Sequence, residues 1–567
     1  MAWHPSNRRL FLRQSGALFG GLCATYLTGA SVSSDADLVV WNANVHTVDS
    51  GMPAAQAFAV KDGRFVAIGT NEEVKAWSGK RTETIDARHM TIVPGFIDCH
   101  NHSPGEMLLY ETAVGNPYEV EFVTIASIIE KLRAKAQQAQ PGFWVEGVLF
   151  DDTKVKDKRQ LSIHDLDQVS TEHPVSVTHR GGHTTFYYSK AFELAGINRN
   201  TPNPFGGTFD RDGSGELTGR VSDNAREVFE KIGTRIPLTP SQRAQRYRDG
   251  QAFMSKQFVR YGLTSVHHEE GSLEGLQQIR KSGELLHRVS YEPGREIDEL
   301  INAGIETGFG DERIRIGATS EFAVDGSFSE RTMALSIPYP GVTPPYRGNI
   351  TIGQDELNAW VERVHRGGIQ VNCHANGDVA IGMYLTAIER ARKLFPNPDM
   401  RPKITHCTLV NDELIRRMKA VDAVPALFTT YAYYNSDKFH FYGEPLMQHC
   451  MAFRSLLDAG IHVAAGSDFP PGPFDPRMAI QGMVTRTGWN GETWGANQRI
   501  TVAEALAVNT INGAYNSHEE AVKGSISLGK YADFVMLSDD IFTVDESKIK
   551  DVQIVRTVVG GKTVYQA

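Results

Sequence analysis

The chain lacks the features that mark several protein classes. Its five cysteines, Cys23, Cys99, Cys373, Cys407 and Cys450, are odd in number and show no paired spacing, so no disulfide framework is expected. No run of Lys or Arg occurs, and 58 basic against 67 acidic side chains leave a net charge of −9. A nucleic-acid partner would call for a basic face, and none is indicated. No stretch approaches the roughly 20 strongly apolar residues of a membrane span, so the mature protein is expected to carry none. Internal repeats and low-complexity tracts are missing too, which excludes solenoids and disordered chains.

What is present is ordinary globular usage, with 41% hydrophobic and 22% charged residues in 567. That length suits two to four domains, or one large barrel with attachments. The first residues differ from the rest. SNRRLFLR, with paired Arg8 and Arg9, precedes the Gly-rich apolar stretch SGALFGGLCATYLTGA. This pattern predicts a twin-arginine-type signal peptide over residues 1–36, hence the twin-arginine export machinery as a partner and a periplasmic or secreted location.

Residues 37–93 contain short β-rich runs broken by Gly and Asp turns, KDGR among them as a hairpin signal, and residues 525–567 mirror them with ADFVMLS and VRTVVGGKTVYQA. One small β domain built from both ends is the prediction. Between them, over 94–524, helix-like stretches alternate with β-runs through Gly: DELNAWVERVHRGG then IQVNCHANG, MAFRSLLDAG then IHVAAGSD. That rhythm predicts an α/β fold with a parallel sheet, which a (β/α)₈ barrel of about 250 residues satisfies. Residues of about 110–255 exceed one barrel unit and read as an insertion over the mouth.

Chemistry-bearing side chains sit where β-runs give way to loops. PGFIDCHNH places His100 and His102 two apart, on one face of a strand and suited to one divalent metal. IQVNCHANGD ends with His374, KITHCTLV centres on His406, and IHVAAGSDFP finishes with Asp468. Cys99, Cys373 and Cys407 adjoin these histidines and therefore point the opposite way, towards the surrounding helices, as packing residues. Strand ends of a barrel are where catalytic groups collect.

These motifs, together with HDLDQVSTEHPVSVTHRGGHTTFYYSKAFELAGI, TPNPFGGTFDRDGSGELTGR, DGSFSERT and GKYADFVML, resemble the amidohydrolase superfamily, in its amidohydrolase-3 branch of YtcJ-like and N-substituted formamide deformylase-like proteins. The likeness runs over nearly all the chain after the signal. It implies a distorted (β/α)₈ TIM barrel with a β-sandwich from both termini. It also implies that His100 and His102 hold one metal with Asp468, that His374 and His406 hold a second, and that Asp468 is the general base. Many relatives carry Lys four residues before DGS; here that place is Glu321, whose carboxylate bridges two cations or, failing that, forms a salt bridge beside a single ion.

The ligand types suit Zn²⁺, one or two per chain, and also Mn²⁺, Fe²⁺ or Co²⁺. The resemblance further marks Arg180 and His183 of THRGGH as substrate-facing groups. His267 and Glu269 of VHHEEG share one strand face, with His268 and Glu270 on the other; they shape the pocket, with His267 facing substrate, or supply a rival ligand pair, or stand as a solvated strand end. Asp325 of DGS is expected to structure its loop. FTTYAYYNSDKFHFYG reads as an aromatic lid or as ordinary packing. The leading expectation is an exported metal-dependent hydrolase of a small-molecule amide-like C–N bond (N-acyl, N-formyl or cyclic), with a homodimer as its oligomeric form. A heterocycle deaminase and a non-catalytic binding barrel are the alternatives.

Overall fold

The computed structural model describes residues 35–269 and 271–567. The predicted signal peptide, 1–36, lies outside the described residues up to residue 34, Arg8, Arg9 and Cys23 included, as does Glu270.

Eight strands form the barrel: β1 (Phe96–Asn101), β2 (Leu263–Glu269), β3 (Arg288–Glu292), β4 (Ile314–Ile316), β5 (Asn372–Ala375), β6 (Lys403–His406), β7 (Val424–Phe428) and β8 (Ala464–Gly466). Neighbours pair in parallel from β1 through β4 and from β5 through β8. The two arcs meet at a parallel bridge between Ala318 and Gln370, and close through Asn101 and Phe469. At that closure Asp468 N donates to His100 O at 2.9 Å and His102 N to Phe469 O at 3.2 Å. The strands are buried almost throughout, as expected of a parallel sheet covered by helices. The distortion lies after β4, where the wall is interrupted and the short strand Phe322–Ala323 resumes it, paired in parallel with Cys373 and His374 of β5.

Cys99 packs among Ile97, Val424, Ala464 and Ala514, Cys407 Sγ lies 3.6 Å from Met418 Sδ, and Cys373 is buried beside Tyr384. All three thiols thus face helices, leaving the alternate positions of their strands to histidine.

The terminal strands form two sheets. Leu38–Trp41, Ala57–Lys61, Arg64–Gly69 and Glu83–Asp86 make one; Asn44–His46, Ala54–Ala55, Thr91–Pro94, Phe534–Leu537, Ile554–Val559 and Lys562–Gln566 make the other. Leu38, Val40, Phe58, Phe65, Ile92, Phe534 and Val558 fill the space between them, with Phe58 edge-on to Phe65 and to Phe534. In the KDGR hairpin, Asp62 and Gly63 both take positive φ, 50° and 73°, the two-residue turn whose twist matches its strands.

The segment after β1 builds its own six-stranded sheet between Thr112 and Asp223, with helices Ile125–Ala136, Ile163–Leu166 and Ser189–Ala195 and a separate core around Val145, Val177, Phe186 and Phe229. The last strand of this inserted sheet ends at Asp223. Helix Pro240–Arg260 places Met254 and Phe258 in the barrel core, because its buried face continues the β2 packing.

Candidate metal centre

The C-terminal ends of β1, β5, β6 and β8 deliver four histidines and an aspartate to one place, and the turn before Phe322 adds Glu321. His100 Nε2 and His102 Nε2 lie 3.2 and 3.0 Å from Asp468 Oδ1. Glu321 sits between the two halves. Its Oε1 is 3.8 Å from His102 Nε2, and its Oε2 is 3.6 Å from His100 Nε2, 3.4 Å from His374 Nδ1 and 3.3 Å from His406 Nε2. Bonds of about 2.1 Å in a tetrahedral site put neighbouring donors about 3.4 Å apart, so this spacing fits cation ligands. Glu321 Oε2 and His100 Nδ1 are moreover buried without a hydrogen-bond partner. An ionised oxygen ringed by imidazoles and left without a partner is what a divalent cation would satisfy, and the mixed imidazole and carboxylate set suits Zn²⁺.

Burial works against charge on Glu321, yet the imidazoles of His100, His374 and His406 outweigh it and hold its carboxyl well below the usual range. Asp468 is likewise opposed by burial and held low by His406, with His100 and His102 bonded to it. Glu269, next to Glu321, shows the reverse: burial first, then the charges of Glu321 and Glu292, push it well above the usual range. One protonated carboxyl beside one ionised one lets the two share this space.

The backbone at the centre is unusual. His406, Cys407 and Asp468 take φ of 72°, 44° and 54°, a region that costs non-glycine residues about 1–3 kcal/mol each. Asp98 holds the Asp468 turn from beneath, accepting from Ser467 N at 2.9 Å and Ser467 Oγ at 2.6 Å. Asp325 accepts from Asn376 N, Gly377 N and Ala334 N, fixing its loop beside His374.

A cavity of about 450 Å³ opens above these side chains, lined by His102, Glu321, His374, His406 and Asp468 from the barrel and by Leu149, Thr178, Arg180, His183 and Arg226 from the insertion. His183 Nδ1 lies 2.8 Å from Asp223 Oδ1, and its ring tilts against His374 at 4.8 Å. Arg180 also faces the cavity, but its guanidinium is taken up by the carbonyls of Asn116, Pro117 and Pro470 and by the Tyr434 hydroxyl. It clamps the insertion to the β7 and β8 loops. Of the aromatic segment, Phe428 stacks on His406 at 4.3 Å, while Tyr431, Tyr434, Phe439 and Tyr442 are buried packing.

His267, expected to face substrate, does not reach the cavity. It lies deeper in the barrel, buried, with Nδ1 3.2 Å from Glu292, whose carboxylate also receives Lys403 Nζ at 2.6 Å. Strand alternation points His267 inward but does not give its depth. Glu292 carries the same signal as the predicted ligands, an ionisable side chain at a strand end, and is absent from the sequence-based expectation. Asp151, Asp152 and His179 also cluster at ligand distances. That group is neutralised by Lys154, Lys438 and Arg331, and joins the insertion to the barrel.

The fold resembles an uncharacterized metal-dependent hydrolase from Pyrococcus horikoshii OT3, with a TM-score of 0.67, 21% identity, and coverage of 90% of this chain and 99% of that one. An N-substituted formamide deformylase of Arthrobacter pascens is 27% identical over 554 residues, 94% of this chain and 98% of the relative. The YtcJ protein of Bacillus subtilis (strain 168) is 27% identical over 556 residues, 93% and 99% respectively. The model of the amidohydrolase family matches residues 83–565, so this chain, with its strand-end histidines and aspartate on an eight-stranded barrel, belongs to the amidohydrolase family.

Proposed function

We propose that the protein is an exported metal-dependent hydrolase of non-peptide, amide-like C–N bonds in N-acyl, N-formyl or cyclic amides. The observation that carries this reading is the ionised Glu321 carboxylate, whose Oε2 is buried without a hydrogen-bond partner between the His100/His102 and His374/His406 pairs. Likeness to an N-substituted formamide deformylase supports the choice of bond, and the Arg8–Arg9 pattern supports export by the twin-arginine route.

His100, His102 and Asp468 would hold one ion and His374 and His406 a second, with Glu321 shared between them. Bound divalent ions supply Lewis acidity, polarising the scissile carbonyl and lowering the pKa of water from 15.7 towards about 7. Asp468, kept ionised at the seam of β1 and β8, accepts the proton of the attacking water and passes it to the leaving nitrogen. His183 turns Nε2 to the substrate while Asp223 engages Nδ1. Arg180 shapes the wall. A carboxylate placed between two ligand pairs favours amide hydrolysis over deamination, which a single ion serves.

Elemental mass spectrometry on the purified full chain, paired with assays on N-formyl and N-acyl amides, tests this. About two metal equivalents falling to about one in Glu321→Ala, with loss of turnover, is expected. One equivalent in both proteins makes Glu321 structural and favours a deaminase; no retained metal after reconstitution removes the hydrolase reading.

A further inference from the structure

Among the described residues, two arginines line the cavity, and one of them, Arg226, has a guanidinium nitrogen that no acceptor reaches. Arg226 ends the short 3₁₀ turn Asn224–Arg226 of the insertion and lines the same cavity as Asp468 and His374. Its Nε is buried without a hydrogen-bond partner. None of the carboxylates lining that cavity, Glu111, Glu321 and Asp468, lies within ion-pair distance of it among the described residues. The other arginine of the wall, Arg180, has its donors committed to carbonyls and a tyrosine hydroxyl. A buried guanidinium nitrogen costs free energy unless an acceptor reaches it, and a planar carboxylate matches its fork. Met107, Val148, Leu149, Phe428 and Pro471 add apolar side chains to the wall of the cavity.

Resting on the amide-hydrolase reading above, we infer that Arg226 anchors a carboxylate of the substrate, so that the preferred substrates are amides bearing an anionic group, of the N-acyl amino acid type, with an apolar side chain against the remaining wall. The insertion then selects the substrate while the barrel cleaves it.

The test uses two compounds that differ only in the carboxylate, N-formylphenylalanine (racemic) and N-formylphenethylamine, with the zinc-loaded full chain. A charge-assisted pair in a site of this kind is worth a preference of about 10- to 100-fold, expected in KM and in kcat/KM for the anionic member. Arg226→Met should bring the ratio of the two kcat/KM values close to one, and Arg226→Lys should keep part of it. A ratio near one in the wild type, or a ratio that Arg226→Met leaves unchanged, overturns the inference while the amide reading stands. If neither compound is cleaved, the choice of scissile bond fails separately. Calorimetric binding of the same pair then decides on Arg226 by the same ratio, and absence of binding by both overturns it.

Discussion

Asp98 and Ser467 are joined twice, through the serine amide at 2.9 Å and its hydroxyl at 2.6 Å, so β1 and β8 are tied one residue away from Asp468 and two away from His100. Asp98 also accepts from Asn101 Nδ2 at 2.9 Å. Supporting contacts of this kind set the orientation of ligands, and their loss typically costs 10- to 100-fold in metal affinity or activity. Asp98→Ala should therefore retain the fold by circular dichroism yet release metal to a chelator about 10- to 100-fold more readily. Unchanged retention would show that Asp468 keeps its place without this tie.

Lys403 and Glu292 form a fully buried ion pair below the centre, with His267 on the same carboxylate. Removing one partner of such a pair leaves an uncompensated charge and costs about 3–5 kcal/mol. Lys403→Met should lower the thermal unfolding midpoint sharply, and adding Glu292→Gln should recover most of the loss while keeping an acceptor for His267. Calorimetry of the three proteins checks both parts.

Glu330 binds the insertion to the barrel loops, accepting from His183 N at 3.1 Å and from the Thr184 hydroxyl. Burial raises its pKa, but His179 and His183 with these hydrogen bonds bring it from 4.5 down to about 2. A carboxyl whose folded value is depressed contributes stability above its unfolded value and loses it as pH falls through the folded one. The stability advantage of wild type over Glu330→Gln should thus be full at pH 7, narrow from about pH 4.5 and vanish near pH 2. Acid release of metal is common to both proteins and cancels in the comparison of unfolding midpoints.

The paired arginines at the start of the chain give a prediction independent of the fold. Replacing Arg8 and Arg9 together by Lys should leave the precursor in the cytoplasm of a bacterium with a working twin-arginine route, read by fractionation and blotting. Equal periplasmic amounts for both forms would point to another route.

The barrel was legible because its strands are short apolar runs, and β2, β3, β4, β5 and β8 are each entered through Gly from a helix. His100, His102, His374, His406 and Asp468 were legible for the related reason that they stand where those runs end. Glu321 was not readable from pattern, since it sits in a turn outside the regular strands; resemblance alone pointed to it. The depth of His267 escaped because alternation fixes the side of a strand and not the height within a barrel. Asp223 and Arg226 escaped for another reason. They belong to an inserted sheet, and nothing in its sequence tells which edge rests on the mouth.

The pairing of Thr91–Pro94 with Phe534–Leu537 joins the opening of the chain to nearly its last residues. On a ribosome adding about 5–20 residues per second, the early strands wait on the order of tens of seconds for their partners. Completion of synthesis thus acts as a timer on folding: a truncated product keeps the edge at Thr91–Pro94 unpaired and open to proteases and to aggregation.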